Sequence, residues 1–442
     1  MNNYMKIIKL SIPVVLTFLS YHILGITDIL MIGKLGRDAI AAVGIALSVY
    51  YLYTGPVETF FNSATILMSH AFGRNNNDLL RKYFFHEIVF AVIGASLGLV
   101  LAIPLLISLN LYTDNKVIIE TAGIYLIISL ISLFPYLITV VINRFFMSIQ
   151  KNRGIAVVSN ITVILNIILN YLFIFGKFGV PSYGVAGAAI ATIISRFVQL
   201  LLNCIFLVRE FKKRDMSLKI PVLERSIFNL ILKKGIPLAQ TSLVEFGSWT
   251  IFTGMISRLG TTSMAAHEIA LKIKDVGYLI IWSYGVVTTT LVGQACGKGE
   301  YETGIQICRK IAKLTVGFML FFGIIIFIFP EIFLRLFTSD SAVISTGKSI
   351  LRVIAFYQIS DAMFITYRSG LIGMGETKFV RNIILAGGWL VMIPIAFLLT
   401  NIIKIGVSGA WIGLVVYVVI AAIICRVKFM NTVWANNEHL TM

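Results

Sequence analysis

Charge is scarce in this 442-residue chain. Charged residues make up 13% of it, about half the share usual in a soluble globular domain. That shortage excludes an ordinary water-soluble domain. Cysteine is scarce too: Cys204, Cys296, Cys308 and Cys425 stand far apart, with no C-x-x-C pair. A disulfide framework and a structural zinc site are therefore excluded, and the four read as small apolar filler. Histidines number only five and form no cluster. Acids are outnumbered by bases, for a net charge of +17. Nucleic-acid binding does not follow, because the bases lie in short loops between apolar runs rather than on one face of a soluble domain. A nucleotide motif is also missing. Gly293-Gln294-Ala295-Cys296-Gly297-Lys298 is one residue short of a P-loop and is followed by Gly299, where Ser or Thr would hold Mg2+. ATP is thus not the energy source within this chain.

What the chain has in quantity is apolar length: 58% of its residues are hydrophobic. A membrane-spanning helix needs about 20 mainly apolar residues. Such stretches run at 7–33, 42–70, 84–110, 118–146, 155–176, 185–208, 229–256, 266–294, 311–335, 345–372, 380–400 and 407–427. They predict an all-α polytopic membrane protein of twelve transmembrane helices. The first stretch is too long for a signal-peptide core and contains Asp28, so it is expected to be the first spanning helix. Lys and Arg concentrate in alternate loops; the opposite set holds only Lys34, Arg37, Lys116, Lys177, Arg258, Arg335, Lys348 and Lys404. The richer set is expected in the cytoplasm, with both termini there.

The chain also repeats itself. Leu35-Gly36 matches Leu259-Gly260, Ala41-Ala42 matches Ala265-Ala266, and Arg144 matches Arg368, all at an offset of 224. Gly184-Val185-Ala186-Gly187-Ala188 matches Gly406-Val407-Ser408-Gly409-Ala410 at 222. Two six-helix bundles follow, at 1–208 and 226–442, joined by a cytoplasmic linker at 209–225. Six is even, so both copies run the same way through the bilayer. A pseudo-two-fold along the membrane normal is expected between them.

Thr27-Asp28-Ile29-Leu30-Met31-Ile32-Gly33-Lys34-Leu35-Gly36, Val292-Gly293-Gln294-Ala295-Cys296-Gly297 and Gly370-Leu371-Ile372-Gly373-Met374-Gly375-Glu376-Thr377-Lys378, in this order on a duplicated chain, carry a resemblance. The chain resembles the multidrug and toxic compound extrusion (MATE) transporters over nearly its whole length. The resemblance implies secondary active transport, with export driven by entry of Na+ or H+.

Ionisable residues inside apolar helices are costly and mark functional sites by default. Three acids qualify: Asp28, Glu245 and Asp361. At the offset of 224 they face Phe252, Tyr21 and Leu137, so none belongs to the repeated scaffold. Asp28 is expected at the depth of Asn166 and Asn170, which share a helix face, and of Ala188 and Thr192. This is an oxygen cage suited to a hard cation, and Na+ is a candidate at Asp28, Asn166 and Asn170. In the resembled family these positions bind Na+ or carry the coupling proton. Many relatives have Asp where this chain has Asn170, which leaves the choice of ion open. Glu245, Asp361 and Tyr357, one turn before Asp361, form a second candidate cation and substrate group. Two acids facing one cavity would repel, and a cation or proton would relieve them.

His22, Glu58, Phe246, Trp249 and Tyr284 are further candidate cavity residues. His267 and Glu268, at the start of the eighth helix, are expected as a cap or in solvent. The expected function is antiport of amphipathic, often cationic compounds against Na+ or H+ by alternating access. The alternative is a flippase for a lipid-linked or natural-product intermediate. No enzyme activity and no cofactor besides the coupling ion are expected. The expected partners are small amphipathic substrates and membrane lipids, with the chain a monomer in the plasma (inner) membrane of a prokaryote.

Overall fold

A computed structural model describes residues 4–431, and among these the chain is helical almost throughout, with no strand. The two termini, expected in the cytoplasm, lie outside the described residues. Twelve long helical segments follow one another. They are α1 Tyr4–Gly33, α2 Arg37–Gly73, α3 Asn77–Val100, α4 Lys116–Ser148, α5 Asn152–Phe175 and α6 Gly184–Lys213. Then come α7 Arg225–Ser257, α8 Thr261–Lys298, α9 Tyr301–Ile328, α10 Ser341–Gly373, α11 Thr377–Ile402 and α12 Val407–Asn431. Ten are long and apolar enough to cross a membrane, and α4, bent by 47° where Ser132 interrupts it, makes eleven. The twelfth, α7, is the most polar, with Lys233, Lys234, Gln240 and Glu245 along it.

Several helices start earlier than their apolar stretches. α3 begins at Asn77 and α9 at Tyr301, against expected starts of 84 and 311. Their opening turns hold Asp78, Arg81 and Lys82 within six residues of the α3 start, or Glu302, Arg309 and Lys310 within ten of the α9 start, which are helical but polar. Backbone hydrogen bonding carries a helix past the hydrocarbon boundary, whereas hydropathy stops there.

The repeat is visible in the helix starts. α2 and α8 begin at 37 and 261, and α3 and α9 at 77 and 301, 224 apart in both cases. The turn before each of α2 and α8 is a glycine with positive φ, Gly36 at 115° and Gly260 at 104°. Only glycine adopts that backbone without strain, so the duplication has kept the residue its turn requires. Side chains close other helix starts. Asn76 accepts from Leu79 N at 2.8 Å, and Asp340 accepts from Ala342 N at 2.8 Å.

Two compact units emerge: Ile12–Gly235, and Met1–Ser11 with Ile236–Met442. Each boundary falls inside a helix, one residue before Pro13 of α1 or Pro237 of α7. Within each unit the helices turn large apolar side chains outward, among them Val100 and Leu201 in the first and Phe321 and Leu390 in the second. A helical protein in lipid does this, because its backbone is satisfied internally and its solvent is hydrocarbon. The interiors hold large apolar side chains too, Phe145 and Trp411 among them, together with buried polar ones that set up the sites below.

Candidate functional site

In the N-terminal unit, α1, α5 and α6 bring the first expected group together as one hydrogen-bonded chain. Asn166 and Asn170 lie one turn apart on α5, both fully buried. Asn170 Nδ2 donates to Asp28 Oδ1 at 2.5 Å and to Asn166 Oδ1 at 2.9 Å. Asn166 Nδ2 donates to Thr192 Oγ1 at 3.4 Å, and Thr192 Oγ1 donates to the Ala188 carbonyl at 3.0 Å. All five expected residues therefore touch in sequence. Asn170 Oδ1 is buried and has no partner among the described residues. Turning that amide over would point the oxygen at the carboxylate side without moving the backbone. The donor set is then a carboxylate, amide oxygens, a hydroxyl and a carbonyl, all hard oxygens fit for Na+.

One turn beyond Thr192, α6 carries Arg196. Its Nη1 donates to Tyr50 Oη at 2.7 Å and to Ser132 Oγ at 2.5 Å. The guanidinium lies 4.3 Å from the centre of the Tyr136 ring, and the Tyr136 hydroxyl donates to Glu58 Oε1. The charge of Arg196 acts on both Asp28 and Glu58. Glu58 is thus held at the end of a phenol and guanidinium relay. His22 is exposed, six residues from Asp28, and makes no hydrogen bond among the described residues.

In the C-terminal unit a cavity of about 360 Å³ opens between α7, α8, α10, α11 and α12. Glu245, Asp361 and Tyr357 all line it, as the spacing suggested. Their surroundings differ from the expected pair of repelling acids. Glu245 Oε1 is bound by Arg368 Nη1 at 2.8 Å. Asp361 is hydrogen-bonded by Tyr357, and the cations acting on it are Lys274 and Arg368. Lys274 is 5% exposed, with its ammonium 3.3 Å from Asp275 and 4.7 Å from the centre of the Tyr278 ring. Three carboxylates thus face two cations within one cavity. Asp361 Oδ2 is buried and has no hydrogen-bond partner among the described residues. Trp249 lines this cavity, whereas Phe246 is half exposed, and neither Phe246 nor Tyr284 reaches the cavity wall.

The wall formed by α11 is irregular. Ala386–Met392 and Leu398–Ile402 are wider π-turns, and Gly388 and Met392 of the first line the cavity. Such turns free the local backbone and recur at functional sites. His267 is not in solvent. It is fully buried between the rings of Phe252 and Trp411, with neither ring nitrogen bonded among the described residues. Helix α8 starts at Thr261, so His267 sits past its first turn and inside the packed unit. Among the described residues no three of His, Cys, Asp and Glu gather as a metal cluster.

Lys274 and Asp275 escaped the reading of the sequence, although the signal was present. Both are charged residues inside an apolar stretch, the same mark that singled out the three acids.

The MatE family model matches this chain twice, at residues 13–172 and 237–398, so the two matches begin 224 residues apart (237 minus 13). The probable multidrug resistance protein NorM of Thermotoga maritima is 29% identical over 440 residues, covering 99% of this chain and 94% of its own. The multidrug resistance protein MdtK of Yersinia pseudotuberculosis is 25% identical, over 96% of this chain and 95% of its own. Two solved structures share the fold. A MATE in its straight conformation has a TM-score of 0.88 at 21% identity, covering 96% of this chain and 95% of that one. The Vibrio cholerae MATE transporter VcmN, solved as a point mutant, has a TM-score of 0.88 at 20% identity, covering 98% and 97%.

Proposed function

The chain belongs to the MatE family of multi-pass membrane transporters, which are not enzymes, and from that membership we propose that it exports amphipathic cationic compounds in exchange for Na+ or H+ by alternating access. The observation that carries this reading is the run of contacts from Asp28 through Asn170, Asn166 and Thr192 to the Ala188 carbonyl. A single carboxylate there accepts from a neutral amide, and Arg196, the cation that acts on it, is committed to Tyr50 and Ser132. A proton or Na+ entering from outside is the counter-charge this site accepts. Neutralising Asp28 changes which conformation of the transporter is favoured, because the ion binds the two states unequally.

We place the transported compound in the cavity of the C-terminal unit. Its excess of one carboxylate over the cations, with Trp249, Tyr278 and Tyr417 as walls, suits a lipophilic cation. The names of the relatives, multidrug resistance proteins, support that class of cargo. The second reading, a flippase for a lipid-linked intermediate, is favoured by Lys274 and Arg368, two cations that a phosphate would meet in the same cavity.

Transport by the purified protein in vesicles, with Na+ and pH gradients imposed separately, tests the reading. Ethidium should leave against its gradient under one of the two, and the Asp28→Asn variant should not move it. Absence of any gradient-driven movement of ethidium or of a second lipophilic cation would sink the exporter and leave the flippase.

A further inference from the structure

A second cleft, of about 530 Å³, lies in the C-terminal unit away from the cavity just described. Arg309, Lys310 and Lys313 of α9 and Arg426 of α12 line it, and no carboxylate does. Arg309, Lys313 and Arg426 form no ion pair among the described residues, so three of the cleft's cations have no acidic partner there. Lys310 sits 6.0 Å from the centre of the Tyr4 ring, at the first turn of α1. Deeper in the cleft the lining turns apolar, with Val316 and Met363.

The placement is as informative as the charge. Arg309 is eight residues into α9, which begins at Tyr301; at about 1.5 Å per residue that is roughly 12 Å from the helix start. Arg426 lies five residues before the end of α12 at Asn431. These cations stand near the ends of two spanning helices, at the edge of their apolar stretches, where a headgroup phosphate can reach them. The loop joining α8 to α9 belongs to the set richer in Lys and Arg, which assigns this end to the cytoplasm.

The duplicated half shows that the fold does not need this charge. At the offset of 224, Arg309, Lys310 and Lys313 correspond to Phe85, His86 and Val89, and at 222 Arg426 corresponds to Cys204. Phe85 packs on Phe84 and Phe211, with ring centres 5.3 and 6.3 Å away. His86 is bonded to the Lys82 carbonyl and to Glu224 N, at 2.7 and 2.9 Å. One half fills the position with rings; the other opens it and lines it with cations.

We propose that this cleft binds the phosphate headgroup of an anionic phospholipid from the cytoplasmic leaflet. Arg309, Lys313 and Arg426 meet the phosphate and the apolar floor takes the first carbons of the acyl chains, the usual arrangement for an anionic headgroup between transmembrane helices. The site is separate from the transport reading and does not depend on which compound is exported.

The test measures lipid retained by the full-length protein after incubation with vesicles of phosphatidylcholine, alone or mixed with phosphatidylglycerol or cardiolipin, followed by detergent extraction and mass spectrometry. The wild type should keep the anionic lipid over phosphatidylcholine. The triple variant Arg309→Gln, Lys313→Gln, Arg426→Gln should bind it at least roughly tenfold more weakly. The charge-keeping variant Arg309→Lys, Lys313→Arg, Arg426→Lys should retain it. If the triple variant does not fold, Arg309→Gln and Lys313→Gln taken singly should each give a partial loss. Equal retention by wild type and neutral variants, or no preference over phosphatidylcholine, would overturn the proposal. Displacement of the lipid by millimolar inorganic phosphate would also overturn it, by assigning the cleft to a free anion.

Discussion

Asn170 donates its amide to Asp28 at 2.5 Å and keeps its own carbonyl oxygen buried without a partner. The amide is therefore oriented for an ionised carboxylate and holds an unused oxygen in reserve. Replacing Asn170 by Ala removes both. Gradient-driven transport should fall by roughly tenfold or more, since a charge-assisted hydrogen bond is worth about 1.5–3 kcal/mol. Asn170→Asp should instead shift the balance between Na+ and H+ as drivers, because a second carboxylate next to Asp28 strengthens cation binding and favours protonation of one of the two. Vesicle transport under each gradient in turn checks both. Unchanged transport in Asn170→Ala would remove this residue from the coupling site.

The pair Arg368–Glu245 predicts non-additivity. Arg368→Ala strips the partner from a carboxylate facing the cavity and leaves a gap on α10, at a cost of about 1–3 kcal/mol. Glu245→Ala alone leaves a buried guanidinium. The double variant should be less destabilised than the sum of the singles, as measured by thermal unfolding in detergent, because contacting residues couple. Additive effects would mean that the two act independently.

Lys274 is the cation that keeps the cavity close to neutral. Lys274→Met preserves much of the stem and removes the charge, leaving Asp361 and Asp275 less compensated. Binding of ethidium, followed by fluorescence polarisation, should tighten by roughly tenfold, the size of one charge acting across a partly screened cavity. The gain should shrink in high salt. A weaker affinity for ethidium would show that the ammonium holds the cavity open rather than opposing the cation.

Gly36 and Gly260 predict a matched pair of effects. With φ at 115° and 104°, alanine at either position forces a side chain into backbone space that favours glycine, at about 1–3 kcal/mol. Nothing stands within 4 Å of a Cβ at either glycine, so the loss comes from the backbone alone. Each variant should lower the unfolding temperature in detergent by a similar amount. A large loss at one and none at the other would show that only one turn has kept its role.

The first site follows from the sequence more directly than the second, and the reason is physical. Depth and one helical spacing put Asp28, Asn166, Asn170 and Thr192 together, and hydrogen bonds join them in a chain. Glu245 and Asp361 were also placed in one cavity, and they line it. Glu245 does act on Asp361 as a like charge, but the cations that offset the two acids, Arg368 on Glu245 and Lys274 on Asp361, reach them from other helices. Arg368 is 123 residues from Glu245. The burial of His267 was missed for a similar reason: it depends on Phe252 and Trp411, from two other helices.

Apolar length, the offset of 224, and the three acids outside the repeat are properties of one chain read in order. They alone determined that this is a duplicated helical membrane protein with unduplicated polar sites. Each rests on a period or a composition, which the bilayer and the helix impose locally. Which charge meets which depends on the rotation of every helix about its axis and on the packing that sets it. Only the tertiary structure decided that Asp28 accepts from the Asn170 amide, that Glu245 is held by Arg368, and that one half opens a basic cleft where the other packs Phe85 against Phe211.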